Sequence, residues 1–333
     1  MLTKIVLFLI FFVTFSPKVL FAADFKIART TEGILQFYGP SCSVLNEEAK
    51  LILQWKVRVE GSNNEVIPSC TYDEKINAYF IILNNLVPDF VAKHHGSGAV
   101  RGSSNCFNTA LVMSGFTSAF RYSDLGEIEF YLNSPLCRKV LSSEKPHPGD
   151  LIMIKPTNPD GLEYHAAVYV SEHLIFEKRN AAPIEPFQLN LLDQMLKERE
   201  VTPGCDRVDE INIKNCKIFS QYYRCKSTKE ILEEGLLKKQ KRYLELDSEV
   251  CVWEMQITNS TLCKDSPPAA ELGAQISKSL TVLYSLVEQE MKDQFQEFDN
   301  KAQQTNPDVF LWGMLLSRIF LIQDELKPSV SDH

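Results

Sequence analysis

Hydrophobic and polar positions change their spacing along the chain, and these changes indicate different elements in different parts of it. In residues 23–94, the stretches ILQFY and LILQWKVRV alternate in the way that is typical of strands. A helix is predicted at residues 72–86, closed by Pro88. The N-terminal part of the chain is therefore expected to combine short strands with one helix.

The stretch SSNCFNTALVMSG, residues 103–115, predicts a short buried helix that begins at Cys106. Asn105 is a favourable N-cap residue, because its side-chain oxygen can accept a hydrogen bond from the first turn. Apolar residues at 110–113 are compatible with burial, and Gly115 ends the helix. The preceding stretch, HHGSGAVRGSSN, is rich in turn-forming residues and predicts a loop.

Three short apolar stretches after this helix predict strands. HPGDLIMI reads as a Pro-Gly turn followed by a strand at residues 150–154. HAAVYV and HLIFEK predict a hairpin, since only Ser171 and Glu172 separate them. A helix followed by strands in this order indicates an α+β fold in which the Cys106 helix packs on a sheet.

From Leu189 onward the spacing of apolar residues becomes helical. Helices are predicted at residues 189–199, 227–245, 269–303 and 309–326, and the third has one apolar face. That face is expected to be core, and self-association or binding of a protein partner through these helices is the alternative. The predicted organisation has four parts: a signal peptide at 1–22, an N-terminal region at 23–94, an α+β domain at 95–188 and a disulfide-containing helical C-terminal domain at 189–333.

The first residues of the chain are typical of a secretory signal peptide. An apolar run from Ile5 to Ser16 is followed by small residues, which predicts cleavage near Ala22. No later stretch is long and apolar enough to span a bilayer, so the mature chain is expected to be secreted or periplasmic, without a transmembrane span. The net charge of −8, without a basic cluster, argues against nucleic acid as a partner.

Nine cysteines in a secreted chain predict disulfides, and the odd number leaves one cysteine over. We expect two local disulfides and a third that involves Cys137: Cys42–Cys70, Cys251–Cys263, and Cys137 with Cys205, Cys216 or Cys225. Those last three cysteines are widely spaced and have no histidine nearby, which is unlike a compact zinc site. Neither a metal nor a cofactor is expected.

Cys106 is the cysteine whose surroundings favour a free, reactive thiol. A helix N-terminus and a neighbouring imidazolium both lower the pKa of a thiol, so the first position of a helix suits a nucleophile. Among six histidines, His165 begins a strand whose other residues are apolar or aromatic, where a polar ring needs a partner. A hydrogen-bonded core histidine is the alternative interpretation of His165.

The order of these motifs resembles the NlpC family of papain-like cysteine peptidases, which are bacterial cell-wall hydrolases. The resemblance covers residues 95–180 and rests on NC at the start of a helix, PGDLIMI on a strand, and HAAVYV and HLIFEK on a hairpin. It implies a papain-like core with a small antiparallel sheet and a packed catalytic helix, in which Cys106 is the nucleophile and His165 the base. Asn105 and Phe107 stand where the family usually has aspartate and a small residue.

A third residue, which would orient the His165 ring, can be placed from hairpin geometry. With a three-residue loop at 170–172, Tyr169 pairs with His173, and His165 pairs with Glu177 on the same sheet face, about 5 Å apart. A carboxylate there would hold the ring tautomer and stabilise its charged form, and a glutamine could still orient the ring. A one-residue change of register would instead place Glu177 on the other face, as a solvent-exposed residue.

The predicted chemistry is acyl transfer. The Cys106 thiolate would attack an amide carbonyl, and His165 would protonate the leaving amine. The oxyanion would be held by the Cys106 backbone N–H and by a second donor from Asn105 or the Arg101 region. The substrate implied by the resemblance is a peptide or cell-wall amide. An acyltransferase or esterase that uses the same Cys–His pair is one alternative, and an inactive papain-like scaffold whose C-terminal helices bind a protein is another.

Overall fold

The computed structural model describes residues 25–61, 68–98, 104–116, 120, 123–134, 136–158, 164–182, 184–227, 230, 246, 249–250, 281–289, 312, 315–316 and 319. Within this part of the chain the fold is mixed α+β, as the sequence predicts, and it contains two antiparallel sheets. The expected signal peptide, the Cys251–Cys263 disulfide and most of the expected C-terminal helices lie outside the described residues. None of the helices described is long and apolar enough to cross a membrane.

The first sheet has four strands in the spatial order β1–β2–β4–β3: β1 (Lys26–Arg29), β2 (Leu35–Gly39), β3 (Cys70–Asp73) and β4 (Ala78–Ile82). The helix predicted at residues 72–86 is therefore wrong. Aromatic and β-branched residues at 79–82 pair with β2, which a helix could not do. A turn joins β3 to β4, and within it Asn77 adopts a positive φ of 54°.

A long helix, α1 (Cys42–Glu60), packs on this sheet, so the strand predicted for LILQWKVRV is also wrong. The helix has strong local end signals. Ser41 is the N-cap and accepts a hydrogen bond from the Val44 N–H, and Gly61 ends the helix with a φ of 68°. Its buried apolar residues recur every three or four positions: Leu45, Ala49, Ile52 and Trp55.

The second sheet has six strands in the spatial order β5–β10–β6–β7–β8–β9: β5 (Cys137–Val140), β6 (Leu151–Pro156), β7 (His165–Tyr169), β8 (Leu174–Lys178), β9 (Phe187–Leu191) and β10 (Ile218–Cys225). The remaining helices in this region are α2 (Asp89–His94), α3 (Cys106–Met113), α4 (Leu125–Leu132), α5 (Leu192–Glu198) and a 3-10 helix (Glu210–Asn215). The predicted Cys106 helix, the strand after the Pro-Gly turn and the hairpin are all confirmed.

The six-stranded sheet extends beyond residue 188, where the sequence placed the end of the α+β domain. β9 forms its edge, and β10 lies between β5 and β6. The helix predicted from Leu189 begins instead at Leu192. The strand β10 is covered on both faces, so its residues are almost all buried. Buried and exposed positions therefore do not alternate along it in the way that would indicate a strand.

One hydrophobic core joins the N-terminal sheet to the second sheet. α3 packs against β7 and β8, and the Trp55 ring of α1 lies 5.6 Å from the Phe176 ring of β8. The Trp55 Nε1–H also donates to the Met113 carbonyl at 2.6 Å, near the C-terminal end of α3. Helical residues from the C-terminal part contribute to the same core, among them Leu283, Val287 and Trp312.

Three disulfides lie within the described residues: Cys42–Cys70, Cys137–Cys225 and Cys205–Cys216. The expected Cys42–Cys70 pair is confirmed, and Cys225 is the partner of Cys137. Of the cysteines that the structure describes, Cys106 alone is free. This disulfide content fits an extracellular or periplasmic protein.

Candidate active site

Cys106 is the first residue of α3, and the start of this helix is fixed by local hydrogen bonds. The Asn105 side-chain oxygen accepts from the Asn108 N–H at 3.1 Å, which confirms Asn105 as the N-cap. The Ser104 hydroxyl bonds the side chains of Asn108 and Thr109 from the same turn. Cys106 is 7% exposed, so its thiol lies at the edge of the core.

His165 is the first residue of β7 and is 1% exposed. Its Nε2 lies 2.7 Å from Oε2 of Glu177, which is on β8 and is equally buried. The structure therefore brings together the two residues that the sequence paired. An ionised carboxylate can only accept a hydrogen bond, so this contact places the ring proton on Nε2.

The hairpin pairing differs from the predicted one by two residues. Tyr169 pairs with Ile175 instead of with His173, and a wider turn joins the strands. Glu177 is thus a diagonal neighbour of His165 instead of its direct cross-strand partner. Side chains alternate with a period of two along a strand, so a shift of two leaves Glu177 on the same face as His165.

Two amide side chains hold the second carboxylate oxygen of Glu177, and the sequence did not identify them. Asn190 Nδ2 donates to Oε1 at 2.9 Å and Gln188 Nε2 donates at 3.2 Å. Both residues lie on β9, beside β8. The available signal is the alternation of polar and apolar residues in FQLNL, which is typical of a strand, whereas the sequence pattern from Leu189 onward predicts a helix.

The carboxyl of Glu177 stays ionised in spite of its burial. Burial raises its pKa, but hydrogen bonds from His165, Asn190 and Gln188, together with the His165 charge, outweigh this effect and lower the pKa to about 2. For His165, burial lowers the pKa, whereas contacts with Cys106 and Glu177 raise it, and the net effect is a raised pKa. The carboxylate therefore favours an imidazolium at this position.

The Cys106 thiol lies beside the same imidazole. Burial raises the thiol pKa, but the net effect is a lowered pKa. The lowering comes mainly from hydrogen bonding to His165 and from the His165 charge, with smaller effects from the Ala166 N–H and the Arg199 charge. The His165 Nδ1 atom is buried and makes no ideal hydrogen bond within the described residues. Since Nε2 faces Glu177, Nδ1 is the nitrogen available to the thiol.

The side chain of Asn105, a predicted oxyanion donor, is engaged at both ends. Its oxygen caps α3, and its Nδ2 donates to the Ser123 carbonyl at 2.5 Å. The Arg101 region lies outside the described residues. The backbone N–H of Cys106 belongs to the first turn of α3, where N–H groups have no partner within the helix. The geometry thus favours this backbone group over the Asn105 side chain as a donor.

The arrangement joins a thiol of lowered pKa, an imidazole of raised pKa and a buried carboxylate in one chain of contacts. Such a chain can generate a thiolate and shuttle a proton. The described residues that could hold a metal ion, Glu48, Glu172 and His173, lie at the other end of the hairpin. Comparisons of the chain with protein-family models, with curated proteins and with solved structures find no match.

Proposed function

We propose that this protein is a thiol hydrolase that cleaves an amide bond by acyl transfer. The observation that carries the proposal is the contact chain from Cys106 through His165 to Glu177. A free thiol at a helix N-terminus lies close enough to the His165 imidazole for the ring to lower the thiol pKa, and Nε2 of the ring lies 2.7 Å from a buried carboxylate. In this proposal Cys106 is the nucleophile, His165 the base and acid, and Glu177 a positioning residue.

The proposed reaction begins with proton transfer from the Cys106 thiol to Nδ1 of His165. The thiolate attacks the amide carbonyl carbon, and the Cys106 backbone N–H stabilises the oxyanion. The imidazolium then gives its proton to the leaving amine as the C–N bond breaks, which leaves a thioester on Cys106. A water molecule, deprotonated by His165, hydrolyses the thioester and restores the thiol.

The burial of His165 and Glu177 supports catalysis over a scaffold role. Buried ion pairs can often be replaced by apolar residues without loss of stability, because desolvation of the charges is costly. His165 and Glu177 are each 1% exposed, and two further amide side chains hold the carboxylate. A scaffold would gain little from this network, whereas a thiol hydrolase requires an oriented base.

The substrate class and fold family in this proposal come from the sequence motifs. The resemblance to the NlpC family favours a papain-like core and a peptide amide of the bacterial cell wall as substrate. Secretion or export to the periplasm is consistent with the three disulfides.

Alkylation of Cys106 by iodoacetamide as a function of pH tests the Cys–His couple. We expect the wild-type thiol to react well below the pH at which an ordinary thiol does, and His165→Ala to lose that low-pH reactivity. His147→Ala, at an exposed histidine, is the matched control and should retain it. A normal thiol profile that His165→Ala leaves unchanged would mean that no couple exists.

Hydrolysis of cell-wall fragments tests the reaction itself. The mature protein is incubated with peptidoglycan, and new free amino groups are measured, with Cys106→Ser as the inactive control. Release that depends on Cys106 supports an amidase. Cleavage of acyl esters without any release of amino groups would favour the esterase alternative, and inactivity on both substrates would favour the scaffold.

A further inference from the structure

Three side chains with metal-ligating atoms meet where α1 approaches the turn of the β7–β8 hairpin. One carboxylate oxygen each from Glu48 and Glu172 and a ring nitrogen of His173 all lie within 4.8 Å of one another. Glu48 belongs to α1, and the other two residues are in the turn. The cluster thus connects two elements that are distant in sequence.

Glu48 is the buried member of this cluster. It is 3% exposed, and in the described part of the chain it takes part in no salt bridge. Its Oε2 accepts a hydrogen bond from the Ser171 hydroxyl. Burial of an uncompensated carboxylate is costly, and a cation beside it would offset that cost.

The groups around Glu48 are held in place by contacts outside the cluster. The His173 ring stacks on Phe25, with 3.7 Å between the ring centroids. The turn backbone is fixed by the Ser171 N–H, which donates to the Leu174 carbonyl at 3.0 Å, and by the Leu192 N–H, which donates to the His173 carbonyl at 2.9 Å. The His173 ring and the backbone of the turn are therefore oriented before an ion binds.

We propose that Glu48, Glu172 and His173 form a binding site for a divalent transition-metal ion, with Zn²⁺ as the best-suited ion. Zinc takes imidazole and carboxylate ligands at about 2.0–2.2 Å, and three protein ligands leave its fourth position to water. Ca²⁺ and Mg²⁺ are less suited because they prefer sets of oxygen ligands. Glu172 Oε1 contacts Lys145 Nζ at 2.8 Å, which leaves Oε2 for the metal.

This site goes beyond the proposed function and does not depend on it. Tyr169 is four residues, or about 13 Å, along β7 from His165, and His173 lies still further away, in the turn beyond the Tyr169–Ile175 pair. A metal here would fasten the turn of the hairpin to α1. It would thereby stabilise the two strands that carry His165 and Glu177, and it would take no part in the chemistry at Cys106.

Equilibrium dialysis of the full mature chain with ⁶⁵Zn²⁺ tests the site. A Cys106→Ala background is used throughout, because a thiolate beside His165 could itself bind zinc. We expect one Zn²⁺ per chain at micromolar concentrations, and a rise in the midpoint of thermal unfolding on binding. Glu172→Gln and His173→Ala should each weaken binding at least tenfold. Ser171→Ala removes a hydrogen bond that orients the Glu48 carboxylate, and it should weaken binding about 10- to 100-fold.

Two matched variants serve as controls. Glu47→Gln changes the exposed neighbour of Glu48 on the same helix, and His147→Ala removes an exposed histidine; both should bind zinc as the parent does. Glu172 is exposed, so Glu172→Gln is informative even if Glu48→Gln does not fold. The proposal would be overturned by the absence of zinc binding at micromolar concentrations, or by binding that Glu172→Gln and His173→Ala leave unchanged.

Discussion

Replacement of Glu177 by glutamine preserves the size of a buried side chain but removes its charge and half of its accepting capacity. In the wild type, Oε2 faces His165 Nε2, and Oε1 accepts from Gln188 and Asn190. All three partners point hydrogens at the carboxylate. A glutamine has one accepting oxygen and one donating NH₂ group, so it cannot serve both sides.

Neither orientation of the new amide reproduces the wild-type contacts. If its oxygen faces Asn190, its NH₂ faces His165, whose proton must then move from Nε2 to Nδ1, towards the thiol. That tautomer cannot accept the thiol proton. If its oxygen faces His165, its NH₂ meets the NH₂ of Asn190. Asn190 cannot rotate its amide without cost, because its Oδ1 accepts from the Leu191 N–H at 2.8 Å.

The size of the effect follows from this conflict. A buried donor that loses its partner costs about 1–3 kcal/mol, so the free energy of unfolding should fall by about that amount. Loss of a contacting carboxylate should lower the His165 pKa, because the Glu177 charge is one of the effects that raise it. Because the imidazolium lowers the Cys106 pKa, the midpoint of alkylation should move to higher pH. Ring orientation alone would leave Glu177→Gln partly active, but these contacts predict a substantial loss.

The assay combines the pH profile of alkylation with unfolding in urea, and a second substitution makes it specific. Asn190→Asp alone places two buried carboxylates together and should be destabilising. In the Glu177→Gln background, the aspartate can accept from the new NH₂, which allows the glutamine oxygen to face His165. We therefore expect the double variant to be more stable and more reactive than Glu177→Gln, with a coupling energy of about 0.5–3 kcal/mol.

Glu198→Gln, at an exposed glutamate on α5, is the control and should change neither measurement. A wild-type alkylation profile for Glu177→Gln would mean that these hydrogen bonds do not control the His165 ring. If Asn190→Asp makes Glu177→Gln worse, the amides are not constrained as described.

Three further predictions concern the thiols and the pH dependence of stability. Thiol labelling of the unreduced protein, followed by peptide mapping, should identify Cys106, and a disulfide at Cys106 would contradict the nucleophile. The Cys137–Cys225 disulfide links residues 88 positions apart, and Cys205–Cys216 links residues 11 positions apart. Removal of the first should therefore lower the free energy of unfolding by about 2 kcal/mol more than removal of the second, which urea titration of the two double-alanine variants tests. The pKa of Glu177 falls from 4.5 to about 2 on folding, so its contribution to the free energy of unfolding is present above pH 4.5 and is lost as the pH falls towards 2. The free energy of unfolding of Glu177→Gln should therefore depend less on pH in this range. Acid unfolding curves that are identical for the wild type and this variant would contradict the prediction.

The elements that could be predicted have their start and stop residues adjacent to them in the chain and a residue pattern that fits one type of element. The Cys106 helix was found because Asn105 caps it from the adjacent position, and the β7–β8 hairpin was found because its two strands are separated by a short turn. The Ser41 and Gly61 signals of α1 were equally local, but the apolar run LILQWKVRV fits a strand as well as a helix. Its helical state is decided by packing against a sheet whose outer strand, β3, follows it in the chain.

The residues that support the site were not predictable in this way, because their roles depend on strand pairing over longer distances. Gln188 and Asn190 reach Glu177 only because β9 pairs with β8. The sequence assigned Asn190 to a helix, which would have directed its side chain elsewhere. Likewise, β10 is inserted between β5 and β6, strands that precede it by more than 60 residues. No local pattern in β10 specifies those neighbours.

The pairing of His165 with Glu177 was predicted from a hairpin register that is wrong by two residues. The contact nevertheless forms, because a shift of two keeps both side chains on one face, and because His165 and Glu177 are long enough to bridge a diagonal separation of about 7–8 Å between backbones. A shift of one would have placed Lys178 on that face and Glu177 in the opposite layer. The face of the sheet on which a residue lies can thus be predicted from sequence more reliably than its cross-strand partner, because an even error in register leaves the face unchanged. For an acid and a base on adjacent strands, a shared face is therefore necessary for contact, and the length of the two side chains decides how large an even error in register the contact survives.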